Sequence, residues 1–195
     1  MGMLTLAAWG RSRSGGFPRR GLLVVLFGFI ALMGVDGINS YLTFFPALPH
    51  LYEPQNWLRL TTGMFSGLAV GMLLYPAFNQ TLWKNWSSTA ALRSFGELAW
   101  LALMAAGLIV LVLGENPRVL YPLALLSTLG VPVMLTMINT VMALMLLRRD
   151  NRVERWQQAL APLLVGFTLA LLEIALVDAA RFAVFGTWAG FSFPA

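Results

Sequence analysis

The chain reads as an all-α, polytopic membrane bundle of five transmembrane helices, and three observations carry that reading. Five apolar runs divide the 195 residues, each long enough to cross a hydrocarbon core that takes about 20. Ten of the thirteen basic residues collect in three short stretches between those runs. The stretches are Arg11, Arg13, Arg19 and Arg20, then Lys84 and Arg93, then Arg148, Arg149, Arg152 and Arg155. The alternating connections are nearly free of Lys and Arg, which is the asymmetry of the positive-inside rule. Charged residues make up only 11% of the chain, with a mean hydropathy of +0.75, against about 25% in ordinary soluble proteins. A soluble domain so composed would expose large apolar patches, whereas a bilayer covers them.

The elements follow in order. Residues 1–9 resemble the final turns of another span and lead into the basic segment 11–20. They are expected either to lie on the cytoplasmic surface or to be the remnant of a missing upstream helix. The spans are expected at 21–42, 58–78, 95–113, 119–147 and 159–185. At these lengths in lipid, only a helix satisfies its own backbone. The last two exceed the required length and should tilt, kink or protrude; Pro122 and Pro132 favour a kink in the fourth. Ser94 with Glu97 is a capping box for the third span, and Asn116-Pro117 is an N-cap with proline at the first helical position. Asn151 with Glu154 is a looser box before the fifth. Both glutamates are read as neutralising helix N-termini.

With the basic stretches inside, the orientation is N-terminus in and C-terminus out. The first outer loop, 43–57, is rich in proline and aromatics, as suits an interfacial belt. His50 is expected there as an exposed or headgroup-level residue. As the one histidine in a chain without cysteine, it cannot build a His-rich or thiolate metal site. No cofactor is expected, and no metal site. The basic residues flank apolar spans without the aromatic interleaving that stacks bases, so anionic lipid is their counter-ion and nucleic acid is not a partner. No G-x-S-x-G elbow, phosphate loop or HExxH motif is present, so no catalytic residue is assigned.

Ionisable residues inside spans cost roughly 2.5–3.5 kcal/mol each near the centre and call for partners. Asp36 in the first span and Glu173 in the fifth fall at similar depth in the outer half, counting about 1.5 Å per residue. Arg59 opens the second span, and Asp178 and Arg181 share a face near the outer end of the fifth. Asn39 and Ser40 extend the polar face of Asp36. These residues form a candidate intramembrane cluster, read either as a polar pocket opening outward or as ion pairs, Asp36 with Arg59 and Asp178 with Arg181, that fix helix register. Glu173 has no basic residue three or four positions away and is expected to face the bundle interior, towards the first two helices. Asn139 is expected to hydrogen-bond between helices. Gly63, Gly67 and Gly71, four apart, make one stripe on which another helix can pack, with a homodimer face as the sharper alternative.

The string Met33-Gly-Val-Asp-Gly-Ile-Asn-Ser-Tyr, followed by Asn56-Trp-Leu-Arg-Leu-Thr-Thr-Gly, resembles an uncharacterised bacterial membrane family, the domain of unknown function twenty eighty-five. Its members carry Asp-Gly at the end of one span, then Asn, Arg-Leu, Thr-Gly and a Gly-containing span. Asp36, Gly37, Asn56, Arg59, Thr62, Gly63 and Gly67 fit that pattern, over about 21–78. Members also carry an upstream segment with His and Cys, ending in a Cys-x-x-Cys-like motif. This chain has no cysteine, so no metal or redox role carries over. The resemblance implies a division into an N-terminal segment 1–20, a two-helix core 21–78 and a three-helix extension 79–195. It implies no reaction. The expected function is a structural or accessory part of an assembly in the bacterial cytoplasmic membrane. The alternative is a small solute-, ion- or lipid-binding protein or transporter, with an intramembrane enzyme third. Expected partners are the lipid bilayer and either another membrane protein or a second copy of the chain.

Overall fold

The computed structural model describes residues 1–43, 45, 49 and 51–186. His50 lies outside the described residues. Among the described residues, six helices and two short strands follow one another: α1 (Gly2–Ala8), β1 (Ser14–Gly16), α2 (Arg20–Leu42), α3 (Asn56–Leu82), β2 (Ser87–Ala90), α4 (Phe95–Leu113), α5 (Pro117–Leu146) and α6 (Trp156–Phe185). The five helices α2 to α6 are each long and apolar enough to cross a membrane. The chain is therefore a multi-pass helical membrane protein. Large apolar side chains such as Leu32, Val110 and Leu176 stand exposed on the helices, where lipid is as good a neighbour as protein.

The helices are not equally covered. About 39% of the most apolar stretch of α3 is buried by protein, against 11% for α6. α3 is the central helix, packed against α1, α2, α4 and α5, while α6 packs mainly on α5. One core joins Leu6, Leu22, Leu26, Leu68, Met72 and Leu101. A second, at the basic end, joins Phe78, Leu82, Trp83, Leu144, Val153 and Ala159. α1 runs down the flank of α3: Gly2 sits beside Leu68 and Met72, and the Tyr75 hydroxyl donates to the Arg11 carbonyl at 3.1 Å.

The glycine stripe behaves differently from the expectation that it packs within the chain. Among the described residues, only Gly71 of the three meets a neighbour, the Met3 side chain, 3.6 Å from where a Cβ would stand; Gly63 and Gly67 have nothing within 4 Å. The close helix approach occurs at Gly166 of α6. A Cβ there would lie 2.6 Å from the Thr136 carbonyl oxygen and against the Thr140 hydroxyl of α5. Thr140 is fully buried at this crossing and turns its hydroxyl back onto Thr136 O at 2.7 Å.

The basic end carries an element that helical periodicity does not foretell. β1 and β2 pair in parallel, with Ser14 opposite Ser87 and Gly16 opposite Ala90. Parallel pairing needs a long crossover, and here α2 and α3 together supply it. Ser87 N–H donates to Arg13 O at 2.8 Å and Ala91 N–H to Gly16 O at 2.9 Å. At Gly16 a Cβ would stand 2.8 Å from the Ala90 nitrogen, so the strand needs glycine there. The α5–α6 connection joins the same layer through Lys84 N–H to Val153 O at 2.9 Å and Asn151 N–H to Thr81 O at 2.8 Å. Three basic connections are thereby stitched into one cap.

Gly166→Leu should lower stability by about 3 kcal/mol, because the added side chain must push α5 away. Gly67→Leu should change it by less than about 0.5 kcal/mol. Denaturant titration of the detergent-solubilised protein measures both.

Candidate functional site

The polar residues at the end away from the cap gather between α2 and α3. The two helices run antiparallel, which sets Asp36 level with Thr62 and Ser40 level with Arg59. Asp36 is 3% exposed and Asn39 is 1% exposed. Asp36 Oδ1 accepts from the Tyr52 hydroxyl at 2.5 Å and Oδ2 from the Thr62 hydroxyl at 3.2 Å. Asn39 fastens the loop from both ends of its amide: Nδ2 donates to Tyr52 O at 2.8 Å, and Oδ1 accepts from Leu51 N–H at 2.6 Å.

The ion pair expected between Asp36 and Arg59 does not form. Arg59 Nε donates instead to Ser40 Oγ at 3.1 Å. The reason is register: Thr62 lies one turn further along α3 than Arg59 and reaches the carboxylate first, while Tyr52 arrives from the loop to take the other oxygen. Tyr52 is the residue that sequence reading missed. Its aromatic character marks an interfacial residue, and nothing local says that its hydroxyl turns inward.

The α6 residues stand apart from this cluster, on a helix that packs mainly against α5. Glu173 is exposed and accepts from Asn139 Nδ2 at 3.0 Å. It does not face α2 and α3 as expected. Asn139, 3% exposed, makes the interhelical contact its type implied. Asp178 Oδ1 and Arg181 Nη2 lie 3.4 Å apart, one turn apart on the same helix. The six residues thus divide into Asp36, Asn39 and Arg59 on the α2–α3 pair and Glu173, Asp178 and Arg181 on α6. Among the described residues, no three His, Cys, Asp or Glu side chains group closely enough to hold a metal ion.

The cap has its own electrostatics. Glu97 does more than cap α4. Ser94 Oγ accepts from Glu97 N–H at 3.2 Å as the capping box requires, and the carboxylate takes both arms of Arg11 at 2.8 and 2.6 Å. Arg11 also donates to Ala91 O at 2.8 Å. The Glu97 hydrogen bond holds the Arg11 guanidinium above its usual range against the opposing effect of burial. Glu154 departs from the expected box with Asn151. Its carboxylate pairs with Lys84 at 2.6 Å, which lowers the glutamate pKa and raises that of the lysine. Arg155 is the N-cap of α6, and Gln158 Oε1 accepts from Glu154 N–H at 2.8 Å. Asn151 instead takes a left-handed turn position, φ 58°, beside the end of α3. Arg13 lies 4.5 Å over the Trp83 ring and donates to Glu154 O at 3.0 Å.

The fold defines a multi-pass helical membrane protein. Residues 1–73 match the family described as "Predicted membrane protein (DUF2085)", the family that the Asp36-Gly37 and Asn56 to Gly63 strings resemble. The matched region takes in α1, β1, α2 and two-thirds of α3. No curated protein and no solved structure matches the chain.

Asp36→Ala should cost about 3 kcal/mol, since it strips a charged acceptor from two hydroxyls. The Tyr52 hydroxyl titrates above its ordinary 10.0, chiefly because it donates to Asp36, with burial and the Asp36 charge adding and Arg59 opposing. The neutral phenol is the form that donates, so its contribution is full below pH 10 and is lost as pH rises through the raised value. In Asp36→Asn the phenol should move back towards 10, read by absorbance titration of wild type and variant against Tyr52→Phe. At the cap, Arg11→Ala should cost about 2–3 kcal/mol. Lys84→Ala should leave the unfolding midpoint in place, its partner being solvent-exposed.

Proposed function

We propose that the protein is a structural or accessory component of an assembly in the bacterial cytoplasmic membrane, with the basic cap on the cytoplasmic side. The observation that carries this reading is the contrast along α2 and α3. The polar groups that could have lined a solute path are committed to one another, as the Asp36, Asn39 and Arg59 hydrogen bonds describe. On the same α3, a Cβ added at Gly63 or Gly67 would meet nothing within 4 Å among the described residues. A small-residue face lets a helix backbone approach closely in lipid, where shape complementarity and not hydrophobicity drives association. In this reading 21–78 is the family-like core that meets the partner, and 79–195 is the extension that braces it.

The test is photo-cross-linking in native membranes. A benzophenone side chain at position 67 should give a discrete protein adduct, and the same group at position 32, on the lipid-facing side of α2, should not. Lipid adducts alone at both positions would remove the assembly reading. The orientation is tested separately by reporter fusions at residues 115 and 150, which should report opposite sides of the membrane.

A second reading, a small solute- or ion-binding protein or transporter, is supported by Glu173, an exposed carboxylate in the middle of α6 held by one amide. It requires that Glu173→Gln keep the fold while abolishing a pH- or solute-dependent shift in thermal stability. The first reading requires that wild type and Glu173→Gln show the same dependence.

A further inference from the structure

Beside the β1–β2 ribbon, at the basic end, lies a cavity of about 390 Å³, within the range of roughly 300–1,000 Å³ usual for small-ligand sites. Among the described residues it is lined by Arg11, Arg13 and Arg93 and by Ser12, Ser14, Ser87 and Thr89, and by no acidic residue. The Arg11 charge is matched by Glu97. Arg93 lies in the field of the same carboxylate at longer range, and Arg13 has no carboxylate partner among the described residues. Among the described residues, Arg13 is stacked on Trp83 and bonded only to the main-chain oxygen of Glu154, whose carboxylate pairs with Lys84. Among the described residues, the Arg93 side chain makes no hydrogen bond or ion pair; only its backbone N–H is used, on Glu97.

The hydroxyls add donors. Thr89 Oγ1 lies 2.9 Å from Ser87 Oγ and 3.2 Å from Ser14 Oγ. Three hydroxyls have three protons, and the two bonds among them use two. One donor is left over, beside that of Ser12. Three guanidinium charges against the one Glu97 carboxylate leave two net positive charges here, and with at least two free O–H groups they suit an occupant that is anionic and rich in acceptors.

We propose that this cavity binds a phosphate group. Guanidinium forks match phosphate oxygens in pairs, and phosphate carries the charge and the several acceptors that the wall lacks. Two of the cations are already fixed, Arg11 by Glu97 and Arg13 by the Trp83 ring, so little side-chain freedom is lost on binding. The cavity opens at the basic end of the helices, where an anionic lipid headgroup and a soluble phosphate compound both have access. The chemistry is the same for either source.

The experiment uses the full chain in detergent, with thermal unfolding as the readout. Probes are micelles doped with phosphatidic acid, micelles doped with phosphatidylcholine, and inorganic phosphate against chloride at equal ionic strength. A saturable rise in midpoint is expected with phosphatidic acid, inorganic phosphate or both. Arg93→Gln should raise the half-saturating concentration at least tenfold without altering the midpoint in the absence of probe. Arg20→Gln, in the same basic stretch as Arg11 and Arg13 but not lining the cavity, should raise it less than twofold. A response to inorganic phosphate assigns the site to a soluble compound, and a response to phosphatidic acid alone assigns it to a headgroup. Equal effects of the two substitutions would mean diffuse surface charge, and no saturable response to any probe would mean an empty groove. Either result overturns the proposal.

Discussion

A bilayer gives an apolar side chain all the company it needs but offers a buried polar group no hydrogen bond, and that difference organises this molecule. Leu, Val and Ile stand exposed along the helices without cost in lipid. The polar side chains in the helices have had to find partners. Asp36, Asn39, Asn139 and Thr140 are all nearly or fully buried, and each is hydrogen-bonded. Protein–protein contact is concentrated where polar groups need satisfaction and around the least apolar of the spanning helices, α3, whose mean hydropathy is 1.3 against 1.9 to 2.3 for the others. α3 lies at the centre because it is the helix least suited to face lipid.

The ends of the bundle meet the same constraint in two ways. Away from the cap, Asn39 and Tyr52 tie residues 51 and 52 to α2, so that the Asp36 carboxylate is hydrogen-bonded by hydroxyls and not paired with a cation. At the basic end, water and headgroups are available, and the chain builds a layer of charge pairs and strand pairing. That layer joins parts distant in sequence. Arg11 and β1, within the region that matches the membrane family, are held to Glu97 and β2, which lie beyond it. The part of the chain beyond residue 73 is fastened to the family-matched part by charge and backbone hydrogen bonds as well as by apolar packing.

α5 and α6 form a pair of their own. Gly166 lets the helices close on Thr136 and Thr140, and Asn139 reaches Glu173 across the same interface. The small residue that matters for packing inside the chain is thus a single glycine next to two threonines. The regular glycine stripe of α3 is left open along most of its length. Spacing identifies a face suited to close approach, but it does not say whether the approaching helix comes from the same chain.

The sequence by itself determined what depends on composition and near neighbours. The five spans lie where the apolar runs place them, within a few residues at each end, because length and transfer free energy decide a crossing. The caps at Ser94 and Asn116 form as read, each side chain accepting a backbone N–H two or three residues on. Only the tertiary structure decided the contacts between residues far apart in the chain. Tyr52 displaces Arg59 from Asp36, Arg11 turns Glu97 from a cap into a bidentate clasp, Lys84 draws Glu154 out of its expected box, and two short strands pair across 73 residues from Ser14 to Ser87. A side chain's type fixes what it can bond, but which partner arrives is set by the relative register of antiparallel helices. That register comes from packing along their whole length, which no local pattern of residues records.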